Sequence, residues 1–290
     1  MTADFRSSKL EEMTFAIVGM GLIGGSYAKA LRRLKVKKII GLDISHGILK
    51  ACLNSNMIDE MVEDKFEPLR QADVIICCVY PGAIIDFVRQ KAAYFRPGML
   101  LTDATGIKGD LPEAVQALLP EGCEFISGHP MAGRQGSGLG MAAAEIFDGA
   151  NYIIVPAAHN SAAAITWLEQ FALALGCRRT VRISALEHDK IIAYTSNLPH
   201  TLAVSLVNSA SYTENTKYFI AGSFRDATRV ADINPELWSD LFLANRENVI
   251  EEIEKYQQQL ERWLKALREN DAEALQQMMR DSAAKRRELY

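Results

Sequence analysis

The chain has 290 residues, of which 49% are hydrophobic and 23% are charged, and its net charge at pH 7 is −4. This composition is typical of a globular protein with one large or two modest domains, and it disfavours binding to nucleic acid or to an anionic membrane surface. Five cysteines without metal-ligand spacing predict reduced thiols in a cytoplasmic protein, and the apolar runs are too short to span a bilayer.

Short apolar runs alternate with helical patterns through the first two thirds of the chain. The runs predicted as strands are 14–18, 38–43, 72–79, 99–102, 124–127 and 152–155, and the first two helices are predicted at 23–34 and 46–54. Continuous apolar runs of this length are typical of parallel strands that are buried on both faces. The alternation therefore predicts an α/β fold with an open parallel sheet covered by helices on both sides.

A glycine motif follows the first predicted strand and opens the first predicted helix. Gly19 permits a tight turn, Gly21 lets the backbone approach a pyrophosphate, and Gly24 lets the helix pack close to the strand. Leu22 and Ile23, between these glycines, contribute the backbone N–H groups of the helix N-terminus, which faces the anion. In this strand–turn–helix context the motif predicts a dinucleotide site.

Asp43 stands at the end of the second predicted strand, where a dinucleotide-binding fold places the adenosine ribose. A carboxylate there accepts hydrogen bonds from the ribose hydroxyls and repels a 2′-phosphate, which favours NAD over NADP. A turn residue at a strand end is the alternative for an isolated aspartate. Together with the glycines, Asp43 predicts a Rossmann-type NAD-binding domain over residues 1–186.

From Glu187 onward the sequence contains no convincing strand pattern. Apolar residues recur mostly at three- and four-residue steps and define one face of a long helix: Leu241, Val249, Ile253, Tyr256, Leu260, Trp263 and Leu267. The pattern predicts an all-helical second domain over residues 187–290. The apolar stripe packs either within its own domain or against a second copy of the chain, and the pattern alone leaves both open.

His129 lies between Gly128 and Pro130 near the end of a predicted strand, where ligands bind in open α/β sheets. We expect the two flanking residues to shape a loop that presents the imidazole, whose ordinary pKa of about 6.5 suits proton transfer near neutral pH. A hydride-accepting cofactor beside such a base is sufficient to oxidise an alcohol. A histidine that merely caps a strand end is the structural alternative.

Further candidates lie in the predicted helical domain. His200 follows Pro199 on a probable helix, where a lone histidine usually has a structural role. Arg229 lies in a charged segment within apolar sequence, and arginine can bind a carboxylate through two parallel hydrogen bonds. A surface ion pair with Asp226 is the alternative for this arginine. No cluster of histidine, cysteine and acidic residues has the spacing of a metal site.

Taken together, these segments resemble the prephenate dehydrogenase family of tyrosine biosynthesis over nearly the whole chain. The similar segments are the glycine motif, 128–133, Glu187-His188-Asp189, Leu198-Pro199-His200, and 224–230 followed by Trp238 and Asn245. The resemblance implies an NAD-dependent oxidative decarboxylation of prephenate to 4-hydroxyphenylpyruvate. It also implies a homodimer formed by the helical domain.

The resemblance implies a role for each site residue. His129 would accept the proton of the ring hydroxyl as hydride leaves, and this general-base help is typically worth about 10²–10⁴ in rate. Arg229 would bind a substrate carboxylate, and His200 would help orient the substrate. Gly222 and Trp238 match positions that line the same pocket.

One position departs from the family pattern. Many members carry a serine two residues before the lysine that follows an aspartate. In residues 102–108 here the aspartate is Asp103, the lysine is Lys108, and Gly106 occupies the place of the serine. Thr105 is the neighbouring candidate for the catalytic hydroxyl. Arg134 and Gln135 follow the His129 segment, and Gln135 is assigned to substrate binding. Relatives that use arogenate would profit from an acid near the substrate amine, so the absence of a carboxylate here favours prephenate.

Three alternative functions remain open. The chain could be an arogenate dehydrogenase, or an NAD-binding sensor with weak catalysis, which the change at Gly106 keeps open. Two-domain dehydrogenases that act on β-hydroxyacids form a third class. They typically use a lysine to handle the proton, and the helical domain has no lysine placed like His129 or His200.

Overall fold

The computed structural model describes residues 9–133 and 136–289. The strands are β1 Thr14–Val18, β2 Lys38–Leu42, β3 Glu60–Met61, β4 Val74–Cys77, β5 Leu100–Asp103, β6 Glu124–Pro130, β7 Asn151–Val155 and β8 Arg179–Arg182. The α-helices are α1 Leu22–Arg33, α2 His46–Asn54, α3 Pro81–Lys91, α4 Leu111–Gln116, α5 Ala162–Ala174, α6 Ala185–Ile192, α7 Leu198–Val207, α8 Gly222–Thr228, α9 Pro235–Ala244, α10 Arg246–Arg268 and α11 Ala272–Glu288. The described residues from Glu187 onward contain helices and turns but no strand, as predicted.

One sheet contains all the described strands, in the order β3-β2-β1-β4-β5-β6-β7-β8. Neighbouring strands from β3 to β6 run parallel. The order reverses between β1 and β4, and the crevice beside such a switch point is where doubly wound sheets bind ligands. The predicted α/β domain with a parallel sheet is confirmed for these strands.

Strand β1 shows why the sheet needs helices on both faces. All five of its residues are buried, and they point alternately to the two sides. Phe15 and Ile17 join the core cluster that contains the stacked rings of Trp167 and Phe171. Ala16 joins the cluster on the opposite face. A strand buried on both faces therefore reads as a continuous apolar run in the sequence.

Strand β7 departs from the prediction because it runs antiparallel to β6. A parallel neighbour would need a crossover, usually a helix, to return the chain to the starting edge. The described part of the connection between Pro130 and Asn151 instead forms short 3₁₀ turns at Leu139–Met141 and Ala144–Ile146. The chain thus turns back at the edge where β6 ends.

The chain divides into two compact units. The first extends to Ile192 and includes Ile233–Ala244, while the second comprises Ala193–Asp232 and the residues from Asn245 onward. The second unit is helical throughout its regular elements, which are α7, α8, α10 and α11. The predicted boundary between residues 186 and 187 falls inside helix α6, and it stays a prediction.

The predicted long apolar helix is interrupted, so this prediction was wrong at its first residue. Leu241 belongs to α9, whereas the stripe from Val249 onward belongs to α10. The backbone at Asn245 leaves the helical region, with φ −115° and ψ 24°. Asparagine favours helix ends because its side chain competes with the backbone for hydrogen bonds. The step of eight residues from Leu241 to Val249 fits the helical repeat, so the spacing concealed this break.

None of the described helices combines the length and apolarity needed to cross a membrane. All five cysteines are free thiols, and every one except Cys78 is buried.

Candidate active site

The turn between β1 and α1 requires glycine at two positions. Gly19 has φ +88°, and a Cβ built there would lie 2.5 Å from Cγ1 of Val79 and 2.7 Å from the carbonyl oxygen of Cys78. A Cβ on Gly24 would lie 1.8 Å from the carbonyl oxygen of Gly19. Helix α1 can therefore approach the end of β1 only when both side chains are absent.

The same turn fits a dinucleotide. Helix α1 begins at Leu22, and the first N–H groups of a helix have no acceptor within the helix, so they can bind a pyrophosphate. A Cβ on Gly21 would meet no atom within 4 Å, so this glycine borders open space. The Asp43 carboxylate accepts hydrogen bonds from the backbone N–H groups of Met20 at 2.7 Å and Ser45 at 2.8 Å. These bonds fix the Asp43 carboxylate beside the glycine turn, and its role in binding the ribose stays a prediction.

The two glycines are expected to respond differently to alanine. In Gly24→Ala the new methyl group overlaps the Gly19 carbonyl, and overpacking of this kind typically costs about 1–3 kcal/mol, so the melting temperature should fall. In Gly21→Ala the methyl group meets no protein atom, so stability should be kept while NAD binding weakens about tenfold or more, equivalent to about 1.4 kcal/mol. Thermal melts and NAD titrations measure both effects. A destabilised Gly21→Ala protein would contradict this account of the turn.

His129 is the next-to-last residue of β6 and pairs with Ile153 of β7. Gly128 and Pro130, expected to shape a loop, are strand residues in this same pairing, so that expectation was wrong. The antiparallel partner extends the ladder by these extra residues. His129 thus projects from regular backbone, which holds a side chain more firmly than a loop does.

His129 is the first of three side chains joined by hydrogen bonds. Its Nδ1 atom is 2.9 Å from Nε2 of His188, and Nδ1 of His188 is 2.7 Å from Oδ1 of Asp189. The backbone N–H groups of Lys108 and Gly109 donate to the Asp189 carboxylate at 2.9 Å and 2.7 Å. His188 and Asp189 are both buried. Helix α6 therefore brings a histidine and an aspartate to the end of β6.

This arrangement determines which nitrogen of His129 can act as a base. A carboxylate at Asp189 accepts, so His188 carries its hydrogen on Nδ1 and its Nε2 accepts from Nδ1–H of His129. The lone pair of His129 is then on Nε2. Burial lowers the pKa of His129 well below 6.5, and the Lys108 charge and the neighbouring His188 ring lower it further. The imidazole is neutral at neutral pH, as a general base must be.

Thr105 and Gly106 lie in the turn after β5. The Thr105 hydroxyl is in short contact with Oδ2 of Asp103 and lies 3.0 Å from the carbonyl oxygen of Ile107. Its bonds thus hold the Asp103 carboxylate, and a catalytic role for this hydroxyl stays a prediction. A Cβ on Gly106 would lie 3.7 Å from Cδ2 of Leu241, which is ordinary contact, so the site has room for the serine that the family pattern places there.

The predicted substrate-binding residues are distributed between the two units. His200, Arg229 and Gly222 belong to the second unit, where Nδ1 of His200 donates to the Ser196 carbonyl at 2.8 Å. Burial lowers the pKa of His200, and the nearby Arg229 charge lowers it further. Trp238 lies on α9 in the first unit, with its ring centroid 5.7 Å from that of Phe242. Gln135 lies outside the described residues. These substrate-binding assignments stay predictions.

Four residues around His129 have no role that was predicted from the sequence: Asp103, Lys108, His188 and Asp189. Their burial and contacts depend on how the chain folds: Lys108 meets Gly128 across 20 positions, and His129 meets His188 across 59. The signal that could have found them is the presence of charged residues next to the ends of apolar strands. Among residues 9–133 and 136–289, no group of three or more histidine, cysteine or acidic side chains could hold a metal ion.

Comparison with known proteins matches two family models to the chain. The prephenate dehydrogenase nucleotide-binding domain matches residues 27–181, and the prephenate dehydrogenase dimerization domain matches residues 184–281. The chain belongs to the prephenate dehydrogenase family. The family resemblance and the fold class predicted from the sequence are thereby confirmed, including a nucleotide-binding first domain.

Named relatives span most of the chain. Prephenate dehydrogenase of Bacillus subtilis is 30% identical over 268 residues, covering 90% of this chain and 72% of the relative. Cyclohexadienyl dehydrogenase of Zymomonas mobilis is 30% identical, covering 92% of both chains. The crystal structure of prephenate dehydrogenase from Aquifex aeolicus, in complex with hydroxyphenyl propionate and NAD+, has a TM-score of 0.87 at 27% identity and covers 98% of this chain and 100% of that chain.

Proposed function

We propose that this member of the family is an NAD-dependent dehydrogenase that converts prephenate to 4-hydroxyphenylpyruvate and CO2. The observation that carries the proposal is the hydrogen-bonded chain from Asp189 through His188 to His129, which leaves a neutral base at the carboxyl edge of the sheet. Prephenate carries a ring hydroxyl whose proton such a base can accept. The Bacillus subtilis and Aquifex aeolicus relatives bear the name of this activity.

NAD, when bound, supplies the acceptor for the hydride of the ring carbinol carbon. Gly19, Gly21 and Gly24 with the α1 N-terminus would hold its pyrophosphate, and the backbone of Leu22 and Ile23 provides the donors. Asp43 would bind the ribose and repel a 2′-phosphate. The free cysteines fit the reducing cytoplasm, which is the location we propose.

His129 moves one proton in the reaction. As the carbinol carbon loses hydride, the hydroxyl proton passes to Nε2 of His129 and the carbon–oxygen bond becomes a carbonyl. The bond to the ring carboxylate then breaks, its electron pair makes the ring aromatic, and CO2 leaves. The phenol oxygen takes back the proton from His129, so no net proton is released. Asp189, acting through His188, stabilises the imidazolium during this interval.

Residues of the second unit would hold the substrate. Arg229 presents a guanidinium whose planar donors match a carboxylate, and prephenate has two carboxylates. His200, held by its bond to Ser196 and kept neutral by burial and by Arg229, would orient the substrate through its other nitrogen. Gly222 begins helix α8 and Arg229 follows its last residue, so both flank the same short helix.

We infer that the protein functions as a homodimer through its helical domain. The later part of the apolar stripe on α10 is exposed in the single chain, with Leu260 46%, Trp263 37% and Leu267 57% exposed, whereas Val249 is buried. An exposed apolar face of this kind marks an interaction surface, and the matching family model is described as a dimerization domain. A second copy of the chain would cover the stripe.

A second candidate substrate is arogenate, and the similarity to a cyclohexadienyl dehydrogenase supports this alternative. The two substrates differ in a side-chain ketone or amine, and Arg134-Gln135 provides no carboxylate for the amine. The test is initial NADH formation by the purified protein with prephenate and arogenate in parallel, each with NAD and with NADP. We expect a higher kcat/KM for prephenate and for NAD. Faster turnover of arogenate would overturn the substrate assignment, and NAD binding without turnover of either substrate would favour a sensor.

A further inference from the structure

Lys108 is a buried lysine whose three ammonium hydrogens all have acceptors. Its side chain is 0% exposed, and Nζ donates to Oδ2 of Asp103 at 2.7 Å and to the carbonyl oxygen of Gly128 at 2.7 Å. The third contact is with Oγ1 of Thr105 at 3.3 Å. An ammonium group has three donors and no acceptor, so the hydrogen-bonding capacity of Lys108 is fully used around this one turn.

The partner of Lys108 is ionised. Burial alone would raise the pKa of Asp103, but the Lys108 ammonium and hydrogen bonds from Lys108, Ser127 and Thr105 bring it below its usual value. Burial lowers the pKa of Lys108, and Asp103 opposes that effect. The two side chains therefore form a charged pair within the protein interior.

This pair holds both polar groups of the residue that precedes His129. Asp103 accepts from the N–H of Gly128 at 3.1 Å, and Lys108 donates to the carbonyl oxygen of the same Gly128 at 2.7 Å. The backbone pairing of β5 with β6 ends at Thr102 and Ile126, before Gly128. At Gly128, hydrogen bonds with side chains thus take the place of backbone hydrogen bonds between β5 and β6.

The backbone of Lys108 reaches His129 by a second path. The N–H groups of Lys108 and Gly109 donate to the two oxygens of Asp189, whose carboxylate accepts from His188, and His188 in turn contacts His129. The side chain of Lys108 fixes the backbone of the base, and its main chain fixes the group behind the imidazole. Few positions could influence His129 in both ways.

The titratable groups around His129 come from several elements. They are Asp103 at the end of β5, Lys108 in the following turn, Tyr152 of β7, and His188 with Asp189 of α6. Burial is the largest cause that lowers the pKa of His129, and the Lys108 charge comes next. Losing that charge would let the imidazole hold a proton at higher pH.

We propose that Lys108 is a positioning residue for the general base, fixing the Gly128 peptide through its side chain and the Asp189 carboxylate through its backbone. This inference rests on the proposed function of His129. A purely structural role would not require charge, since buried ion pairs can often be replaced by neutral residues without loss of stability. Here every bond of the ammonium group is made at the strand end that carries His129 or at the turn beside it.

The test is Lys108→Met, measured by kcat, KM and the pH profile of prephenate oxidation, and by NMR titration of the His129 imidazole. A misplaced base costs about 10²-fold in kcat, while KM and NAD binding should stay close to wild type. A base acts only when neutral, so the rate is full above its pKa and lost as pH falls through it. Wild type should therefore lose activity only below pH 6.5. In Lys108→Met this acid limb should move up by about one pH unit.

A matched control is Arg96→Met, which lies at the amino ends of the strands, opposite the carboxyl ends where His129 lies. Arg96 forms an ion pair with Asp73, which also accepts from the N–H of Thr14 at 2.8 Å, so this pair too links side-chain charge to strand ends. Its removal should lower stability without moving the pH profile.

If Lys108→Met does not fold, the double variant Asp103→Asn with Lys108→Met removes the unpaired buried carboxylate. We expect the same loss of kcat from it and a smaller pH shift, because the substitution of Asp103 also removes a negative charge that favours the protonated imidazole.

The outcomes separate this inference from the proposed function. An active wild type with unchanged kcat and unchanged imidazole pKa in the folded Lys108 variant would overturn the positioning role. So would a wild-type His129 that titrates at or above pH 6.5. A wild type without prephenate turnover, in which the variant still raises the His129 pKa, would refute the proposed function while supporting the influence of Lys108 on the imidazole.

Discussion

Replacing His129 with asparagine is expected to lower kcat by about 10²–10⁴-fold, because the variant loses its general base. Asparagine keeps a polar side chain of similar reach at the end of β6 and can still contact His188. It cannot accept and return the hydroxyl proton. KM for prephenate and the affinity for NAD should therefore change little, and steady-state kinetics with a separate NAD titration measure both quantities.

His159→Asn is the matched control for this substitution. His159 belongs to the same compact unit and lies 3.0 Å from the carbonyl oxygen of Phe125, away from the hydrogen-bonded chain behind His129. We expect its kcat to equal that of wild type. A normal kcat in His129→Asn would show that His129 is not the general base. An equal loss of kcat in both variants would indicate a general structural effect.

Replacing Arg229 with leucine is expected to weaken substrate binding more than it slows the chemical step. Losing one partner of a desolvated charged contact costs about 2–5 kcal/mol, so kcat/KM should fall by about 30-fold to several thousand-fold, mainly through KM. Removing the positive charge also removes one influence that lowers the pKa of His200. NAD binding should be unaffected, because the predicted cofactor site lies in the first unit.

Arg268→Leu offers a control with the same change in net charge. Arg268 is the last residue of α10, exposed, and in the same unit as Arg229. Its kinetics should match wild type. If Arg229→Leu lowers kcat without raising KM, the arginine acts on the transition state and not as a carboxylate anchor, which would contradict the assignment.

Local patterns in the sequence were enough to predict the first domain. Buried parallel strands read as apolar runs, and the glycine turn beside β1 requires residues that cannot be substituted without a clash, so both leave a direct record. The antiparallel direction of β7 left none, because it depends on how the chain returns after Pro130. The helix break at Asn245 was hidden because Leu241 and Val249, eight residues apart, fit one helical face.

The candidate site was only half visible for a related reason. His129 was singled out by its neighbours in sequence, but its partners His188 and Asp189 are brought to it by packing of α6. The pair of Asp103 and Lys108 looked like ordinary charged residues of a turn until burial and shared contacts with Gly128 gave them a role. Periodicity reports which face is apolar, whereas it does not report which charges meet inside.

The most direct test of the account is the product balance of the purified protein given NAD and prephenate. We predict equal amounts of NADH, CO2 and 4-hydroxyphenylpyruvate, and none of the three products in His129→Asn beyond the residual rate. NADH without CO2, or turnover that persists at the wild-type rate in His129→Asn, would contradict an oxidative decarboxylation carried out at this histidine.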